Sequence, residues 1–289
     1  MVPYKRIFTG SSCNNSCLYC NEKNKISTPE CSDVVNSLSQ KSNFDSIAFY
    51  GGEPTIRKDF FTMVDAARNE GYKRIKVVTN ARTLTDVPTA IKMVEAGCYF
   101  FDIKVHHHRP DIHDYVTQVQ ESFKEAVQGL VNLRRINTLR QSPFSAFINL
   151  RIPLSSKNYE DSGSIVAAFI PYKVDRFMLS FDDSALELSK ALPYIRNAID
   201  LSVLNRVWIT TQNIPLCTLT GYEQHVSEVY LPPDGDFKKA ETCRECRLDE
   251  CCPGLNSAYA DTSGFNDLKP FRGNGHLIED IRNLANASL

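Results

Sequence analysis

The sequence CNNSCLYC, residues 13–20, places Cys13, Cys17 and Cys20 in one short loop with the spacing Cys-x3-Cys-x2-Cys. Thiolates are the protein ligands of iron–sulfur clusters, and a closed cubane takes four of them. Three thiolates would leave one iron of a cubane without a protein ligand, and an open position on a metal is where chemistry can occur. The spacing therefore favours a reactive cluster.

Two other roles are compatible with three neighbouring cysteines. They could bind zinc together with a ligand from elsewhere in the chain, or form half of a disulfide framework. Zinc sites usually pair Cys-x2-Cys with a second pair of ligands, and this loop contains no histidine or fourth cysteine. The next cysteine, Cys31, follows Thr28-Pro29, where a helix is predicted to begin. A cluster is thus favoured over zinc.

The spacing resembles the signature of the radical S-adenosylmethionine (radical SAM) enzymes. The resemblance implies that Cys13, Cys17 and Cys20 hold a catalytic [4Fe-4S] cluster whose open iron chelates the amino and carboxylate groups of SAM. An electron from the cluster then cleaves the sulfonium and yields a 5′-deoxyadenosyl radical, which requires an external electron donor such as a flavodoxin or ferredoxin. Tyr19 occupies the position that the family places beside the SAM adenine.

A second motif follows the predicted strand Ser46–Tyr50, which runs into Gly51-Gly52-Glu53-Pro54-Thr55. Two glycines allow the backbone to approach a ligand closely and leave its N–H and C=O groups open. By itself this could be any strand-to-helix turn. One strand–helix unit after the cysteine loop, it resembles the family's GGEP motif, which implies that Gly51, Gly52, Glu53 and Pro54 contact the methionine amino group of SAM.

A third segment, Thr79-Asn80-Ala81, follows the next predicted strand. Family members often have Thr-Asn-Gly there, so the resemblance adds Thr79 and Asn80 to the cofactor-binding residues. Alanine in place of glycine predicts a turn that needs no left-handed residue.

Charged and polar residues alternate along the predicted fourth and fifth strands. Period-two alternation directs Asp102 and Lys104 to the interior and Phe101 and Ile103 outward. Such a charged pair is interpreted as substrate-binding or as a mutual ion pair. The fifth strand offers Asn149 and Arg151 in the same way, and by resemblance this strand contacts SAM or substrate.

The remaining histidines and thiols of this region are expected to be structural. No more than two of His106, His107 and His108 could converge on one ion, because adjacent residues of a strand point in opposite directions. A structural or substrate-facing loop is therefore favoured over a metal site. Cys31 and Cys98 are expected to be ordinary buried thiols.

Four more cysteines are candidates for a second metal site near the C-terminus. Cys243, Cys246 and Cys252 form Cys-x2-Cys-x5-Cys, and Cys217, at the end of the last predicted strand, is the natural fourth ligand. The pattern resembles the auxiliary-cluster domains called SPASM or, with a single cluster, twitch, which implies a second [4Fe-4S] cluster. A closed site of four thiolates suits structural zinc equally well.

The bulk properties restrict partners and compartment. The chain has 289 residues, a net charge of −1 and no long basic stretch, so nothing in its composition favours a nucleic-acid partner. It contains no apolar run of membrane-spanning length, and its first ten residues lack the apolar core expected of a signal peptide. Ten cysteines without an export signal favour a reducing compartment, and we expect a cytoplasmic protein.

Alternation of strands and helices along residues 1–212 predicts an α/β fold with a parallel sheet. By resemblance the sheet curves into a partial (β/α)6 TIM-like barrel, with the chemistry on loops at the carboxyl ends of the strands. Residues 213–289 are predicted to form a small, loop-rich, cluster-binding domain that ends in a helix. The predicted strands are Arg6–Thr9, Ser46–Tyr50, Arg74–Thr79, Tyr99–Lys104, Phe144–Ile152, Arg176–Ser180 and Arg206–Thr211.

The substrate is not encoded in any of these motifs. Relatives with auxiliary clusters modify peptides or protein side chains, or act on small metabolites, and a peptide or protein side chain is the favoured interpretation. The triplet lies close to the N-terminus, so no peptide-recognition domain is expected before it. A non-catalytic electron carrier or a zinc-stabilised scaffold would need neither an open iron nor the Gly51–Pro54 segment.

Overall fold

The computed structural model describes residues 3–20, 28–39, 44–139, 145–231, 233, 235–274 and 276–287. Seven strands form one sheet in chain order, and β1 to β5 pair in parallel. The α/β prediction is confirmed, and the described strands form an open sheet, as a partial barrel requires. The strands are β1 (Lys5–Phe8), β2 (Ser46–Tyr50), β3 (Arg74–Thr79), β4 (Cys98–Lys104), β5 (Phe147–Leu154), β6 (Arg176–Phe181) and β7 (Trp208–Gln212).

Nine α-helices occur in the described residues. They are α1 (Cys31–Ser39), α2 (Phe60–Asn69), α3 (Val87–Glu95), α4 (Pro110–Thr117), α5 (Ser122–Leu139), α6 (Ser162–Phe169), α7 (Leu188–Leu204), α8 (Ser257–Ser263) and α9 (Leu277–Ala287). None of these helices combines the length and apolar content that crossing a bilayer requires.

The chain divides into two compact units. The N-terminal unit comprises Pro3–Arg151 and Phe169–Arg176, and the C-terminal unit comprises Ile152–Ala168 and Phe177–Leu289. This division follows compactness alone, and the functional boundary between residues 212 and 213 stays a prediction.

Strand alternation builds the core of the N-terminal unit. Phe101, Ile103, Ile148 and Leu150 of β4 and β5 are fully buried. Burying an aliphatic or aromatic side chain of this size contributes about 1.5–3 kcal/mol. The alternate residues of the same strands, Asp102 and Asn149 among them, point to the opposite face.

The C-terminal unit contains the loop-rich region that the sequence predicts, together with regular elements that it does not. Two short antiparallel strands, β8 (Phe237–Lys238) and β9 (Leu255–Asn256), precede α8. The Tyr259 hydroxyl donates to Asp267 Oδ2 at 2.8 Å and accepts from the Leu188 N–H at 3.0 Å. One side chain thereby connects α8 to the start of α7.

The turn after β3 differs from its prediction. Ala81 has φ = 63°, a left-handed conformation, so the inference that alanine excludes such a residue is wrong. Its N–H donates to Thr79 Oγ1 at 2.9 Å and its C=O accepts from the Leu84 N–H at 3.0 Å. These bonds hold Ala81 in a conformation that costs an L-residue about 1–2 kcal/mol.

Helix α5 packs against this turn through Gly129. A Cβ added at Gly129 would lie 2.2 Å from the carbonyl oxygen of Ala81, and backbone at that distance cannot move aside easily. The absence of a side chain therefore permits the contact.

Helix α4 is held against the end of β4 by histidines. The His106 backbone N–H donates to His113 Nδ1 at 3.3 Å, and the two rings lie 5.7 Å apart. Burial lowers the pKa of His106 to about 3 and that of His113 to about 4. Both rings are therefore neutral in the folded protein at ordinary pH.

Replacing Gly129 by alanine should lower the free energy of unfolding by about 1–3 kcal/mol, because the new methyl group collides with the Ala81 carbonyl. Helix propensity alone predicts the opposite, a gain of up to about 1 kcal/mol. Urea denaturation measures the difference. Gly163→Ala in α6 is the matched control, since its nearest obstacle, Asn197 Oδ1 at 2.5 Å, belongs to a side chain that can rotate. Equal effects of the two variants on the free energy of unfolding would contradict a collision between the new methyl group at Gly129 and the Ala81 carbonyl.

The buried histidines predict a loss of stability in mild acid. The unfolded chain binds a proton at each histidine near the ordinary pKa of about 6.5, whereas the folded chain does so only near pH 4 or 3. The free energy of unfolding should therefore fall by up to about 1.4 kcal/mol per pH unit per histidine as the pH falls from about 6 to 4.5. His113→Asn should reduce this slope, and the exposed His276→Asn should not. An unchanged slope in His113→Asn would refute the prediction.

Candidate cofactor site

The three N-terminal cysteines lie on the irregular loop that follows β1. Cys13 is exposed, and Cys17 and Cys20 are half-buried. Partial burial, reinforced by the neighbouring thiols, raises the pKa of Cys17 to about 11 and also raises the pKa of Cys13. Both thiols are therefore protonated at neutral pH, and each would have to lose its proton on binding a metal.

Hydrogen bonds from the loop backbone fix its position in the N-terminal unit. The Ser16 and Leu18 N–H groups donate to the carbonyls of Thr117 and Val116, each at 2.9 Å, at the end of α4. The Arg82 guanidinium donates to the Asn14 carbonyl, and to Asn15 Oδ1 at 2.9 Å. The loop is therefore anchored on two sides by residues distant in sequence.

Asn80 lies beside the first cysteine. Its Nδ2 donates to Asn14 Oδ1 at 2.6 Å and lies 3.8 Å from Cys13 Sγ, while the Asn15 N–H donates to the same sulfur at 3.3 Å. Donors directed at sulfur stabilise a thiolate over a thiol. The predicted site residue Asn80 is thus brought to the cysteine loop.

Gly51 and Gly52 also meet this loop. A Cβ at Gly51 would lie 2.3 Å from the Gly10 carbonyl oxygen, and a Cβ at Gly52 would lie 2.2 Å from that of Ser12. The Gly52 N–H donates to Gly10 at 2.7 Å. The two glycines therefore admit the cysteine loop itself, and the expectation that their N–H groups stay open is wrong for Gly52.

The Glu53 carboxylate is turned into the protein, where it is only 2% exposed. It accepts from Thr79 Oγ1 at 2.8 Å, from the Asn80 N–H at 2.6 Å and from both the N–H and the hydroxyl of Thr55. Burial raises its pKa, and the four hydrogen bonds oppose that shift. Glu53 thus joins the loops after β2 and β3, and Pro54 begins a 3-10 turn beside it.

Asp102 and Lys104 lie on the same face of β4, but Asp102 forms its ion pair with a cation other than Lys104. Lys76 Nζ lies 3.3 Å from Asp102 Oδ2, and Asn149 Nδ2 donates to Oδ1 at 2.9 Å. Arg176 Nε in turn donates to Asn149 Oδ1 at 2.9 Å. Burial alone would raise the pKa of Asp102, but Lys76 and Arg176 hold it below its ordinary value.

Lys104 is associated instead with the cysteines. Its positive charge lowers the pKa of Cys13 and of Cys17, against the larger effect of burial. Arg151 faces Lys104 across the β4–β5 register. Sequence reasoning missed Lys76 and Arg176, although Lys76 stands out in the alternation of β3.

Roles were also predicted for a tyrosine, two cysteines and two histidines of this region. Tyr19 is half-buried on the cysteine loop. Cys98 is fully buried as expected, whereas Cys31 is half-buried at the start of α1, so the expectation for it is wrong. The rings of His107 and His108 stack at 4.6 Å.

The C-terminal unit brings the other four cysteines together. Cys217, Cys243, Cys246 and Cys252 line one small cavity, and Cys251 does not. The Phe271 N–H donates to Cys246 Sγ at 3.3 Å. Backbone N–H groups of Lys269 and of Gly254 and Leu216 bond to Cys217 and Cys252, although burial raises the pKa of Cys252 to about 12. The residues present fit a thiolate-bound group.

Comparison with known proteins gives the family. Residues 7–149 match the family profile described as the radical SAM superfamily. A probable GTP 3′,8-cyclase of Methanocaldococcus jannaschii is 26% identical over 183 residues, which cover 58% of this chain and 59% of the relative. The mycofactocin maturase MftC of Mycolicibacterium smegmatis is 29% identical over 128 residues, 42% of this chain and 32% of the relative. The chain thus spans about three fifths or less of these relatives.

The fold is shared with solved structures. Streptococcus suis SuiB bound to S-adenosylmethionine superposes with a TM-score of 0.60 and 14% identity, over 95% of this chain and 77% of that one. SuiB bound to its precursor peptide SuiA gives 0.60 and 15%, over 76% and 51%. The radical SAM family uses a [4Fe-4S] cluster and SAM. Residues 7–149 of this chain are therefore a radical SAM domain.

Proposed function

We propose that Cys13, Cys17 and Cys20 hold the [4Fe-4S] cluster of this domain and that SAM binds at its open iron. The observation that carries this proposal is the gathering of three thiols on one anchored loop, where the positive charge of Lys104 lowers the pKa of two of them against the larger effect of burial. When bound, the cluster and SAM supply a 5′-deoxyadenosyl radical that removes hydrogen from a substrate.

The chain's own residues are proposed to orient these groups. Lys104 and the donors at Asn15 and Asn80 favour the thiolate form of Cys13, which metal binding requires. The carbonyl groups of Gly51, Gly52 and Pro54 are the proposed partners of the SAM amino group, and Tyr19 is the proposed neighbour of its adenine. Asn149 and Arg151 are proposed to contact SAM or substrate.

The Asp102–Lys76 ion pair gives the inner face of the strands a defined charge pattern. Among the described residues of the N-terminal unit, Lys76, Lys104, Arg151 and Arg176 lie with Asp102 on alternating positions of neighbouring strands. This excess of cations favours a substrate or cofactor group with negative charge near this face. Asp102 and Lys104 are the proposed substrate contacts.

Cys217, Cys243, Cys246 and Cys252 are proposed to bind a second, auxiliary [4Fe-4S] cluster in a SPASM- or twitch-like domain at residues 213–289. Their shared cavity and the N–H donors directed at three of the sulfurs support a thiolate-bound group, and the presence of the N-terminal cysteine triplet favours a cluster over zinc. A flavodoxin or ferredoxin is the proposed electron donor.

For the substrate, a peptide or protein side chain is proposed first, because MftC is named a maturase and SuiB is solved with a precursor peptide. A small metabolite is the second candidate. It is favoured by the GTP 3′,8-cyclase relatives and by the cationic inner face of β3 to β5.

Replacing Cys13, Cys17 and Cys20 together by alanine should abolish SAM cleavage. Anaerobically reconstituted protein, reduced with dithionite and given SAM, should release 5′-deoxyadenosine, which chromatography measures. The triple variant should release no more than a sample without protein, because its cluster has lost every protein ligand. Cys31→Ser is the matched control and should retain release. Undiminished release by the triple variant would disprove the proposed site.

Metal analysis tests the second cluster. The reconstituted protein should contain about eight irons per chain, and replacement of Cys217, Cys243, Cys246 and Cys252 by alanine should leave about four. Cys251→Ala, the neighbouring thiol outside the cavity, should keep about eight. About four irons with one zinc in the unaltered protein would identify the second site as structural zinc.

A further inference from the structure

A group of oxygen acceptors lies at the carboxyl ends of β6 and β7. Asp182 directly follows β6, Asn213 directly follows β7, and Glu228 lies in the 3-10 turn Ser227–Val229. All three belong to the C-terminal unit. In parallel α/β sheets the carboxyl ends of the strands are the edge at which ligands bind.

Hydrogen bonds hold these residues together. Asn213 Nδ2 donates to Asp182 Oδ1 at 2.5 Å, and the Asn213 backbone N–H donates to Glu228 Oε1 at 2.7 Å. The Ser227 hydroxyl donates to Glu228 Oε2 at 3.0 Å. These three bonds are all directed at the carboxylates of Asp182 and Glu228.

One acceptor at the centre of the cluster has no partner. Asn213 is only 6% exposed, and its Oδ1 is buried without a hydrogen bond. Turning the amide over would not help, because it would place the oxygen against the Asp182 carboxylate, which can only accept. A buried acceptor without a donor costs free energy, and a donor supplied by a ligand would remove that cost.

Two neighbouring buried oxygens also lack a hydrogen-bond partner. Asp183 Oδ2 and Gln212 Oε1, next in the chain to Asp182 and Asn213, are also buried acceptors without a partner. Burial and the negative charge of Asp182 raise the pKa of Glu228 in spite of its hydrogen bonds. Asp182 is half-buried, so a ligand can reach the cluster from solvent.

We propose that Asp182, Asn213 and Glu228 bind a positively charged nitrogen group, an ammonium or a guanidinium, carried by the substrate. Such a group supplies several N–H donors, one for the orphaned amide oxygen and others for the two carboxylates, and its charge offsets theirs. A metal ion is the poorer occupant, because within the described ranges no three metal-ligating side chains converge. The assignment to substrate rests on the proposed function, but binding itself requires neither cluster nor SAM.

Binding of simple cations to the reconstituted full-length protein, without SAM or reductant, tests the site. Cadaverine and agmatine are the small probes, an acetylated and amidated Gly-Lys-Gly peptide represents a protein side chain, and 1,5-pentanediol is the uncharged control. Titration calorimetry and saturation-transfer NMR measure the dissociation constants. At least one cationic probe should bind while the diol does not, and the preferred probe distinguishes a peptide from a small-molecule source.

Asp182→Asn and Glu228→Gln keep the size of each side chain and remove one charge. Each should weaken binding of the cation about tenfold or more, as loss of a charge-assisted hydrogen bond implies. Asp200→Asn, an exposed carboxylate of the same unit, should leave binding unchanged. Circular dichroism verifies that each variant folds.

The proposal is overturned if no cationic probe binds, as would occur if water satisfied the orphaned oxygen. It is also overturned if the two variants bind as the unaltered protein does, or if Ca2+ or Mg2+ binds and is lost in these same variants. Because no radical chemistry is involved, a negative result here leaves the proposed SAM cleavage unaffected, and a failure of SAM cleavage leaves this binding unaffected.

Discussion

The cysteine loop lies where it does because two glycines have no side chains. The carbonyl oxygens of Gly10 and Ser12 occupy space that a Cβ at Gly51 or Gly52 would need. The Gly52 and Glu53 N–H groups then donate to those same carbonyls, at 2.7 and 2.8 Å. The position of all three thiols depends on this approach of one backbone to another, since any side chain there would push the loop away.

A buried carboxylate extends this constraint to the next strand. Glu53 collects four hydrogen bonds that link the loop after β2 to Thr79 and Asn80 after β3. Asn80 in turn reaches Asn14 and approaches Cys13. The motif residues therefore form one connected structure, in which the side chain of Glu53 acts on the cysteines through Asn80.

Each unit also contains polar groups that are incomplete by themselves. Burial raises the pKa of two thiols in each cysteine set, and Lys104 or backbone N–H donors only partly offset this effect; the thiols are Cys13, Cys17, Cys217 and Cys252. The amide oxygen of Asn213 is buried without a donor. Groups of this kind cost free energy in the folded chain unless a ligand completes them, so they mark the places where ligands are expected.

The local sequence was enough to predict the strands, the parallel α/β class and which cysteines are candidate ligands. Alternation and cysteine spacing are properties of residues close together in the chain. β2 and β3 have the predicted bounds. Only the tertiary structure decided which groups meet. Asp102 pairs with Lys76 of the neighbouring strand, Gly52 receives the cysteine loop, and Ala81 is held left-handed by local hydrogen bonds. Alternation assigns a side chain to a face of a strand, but its partner depends on register and on the approach of segments distant in the chain.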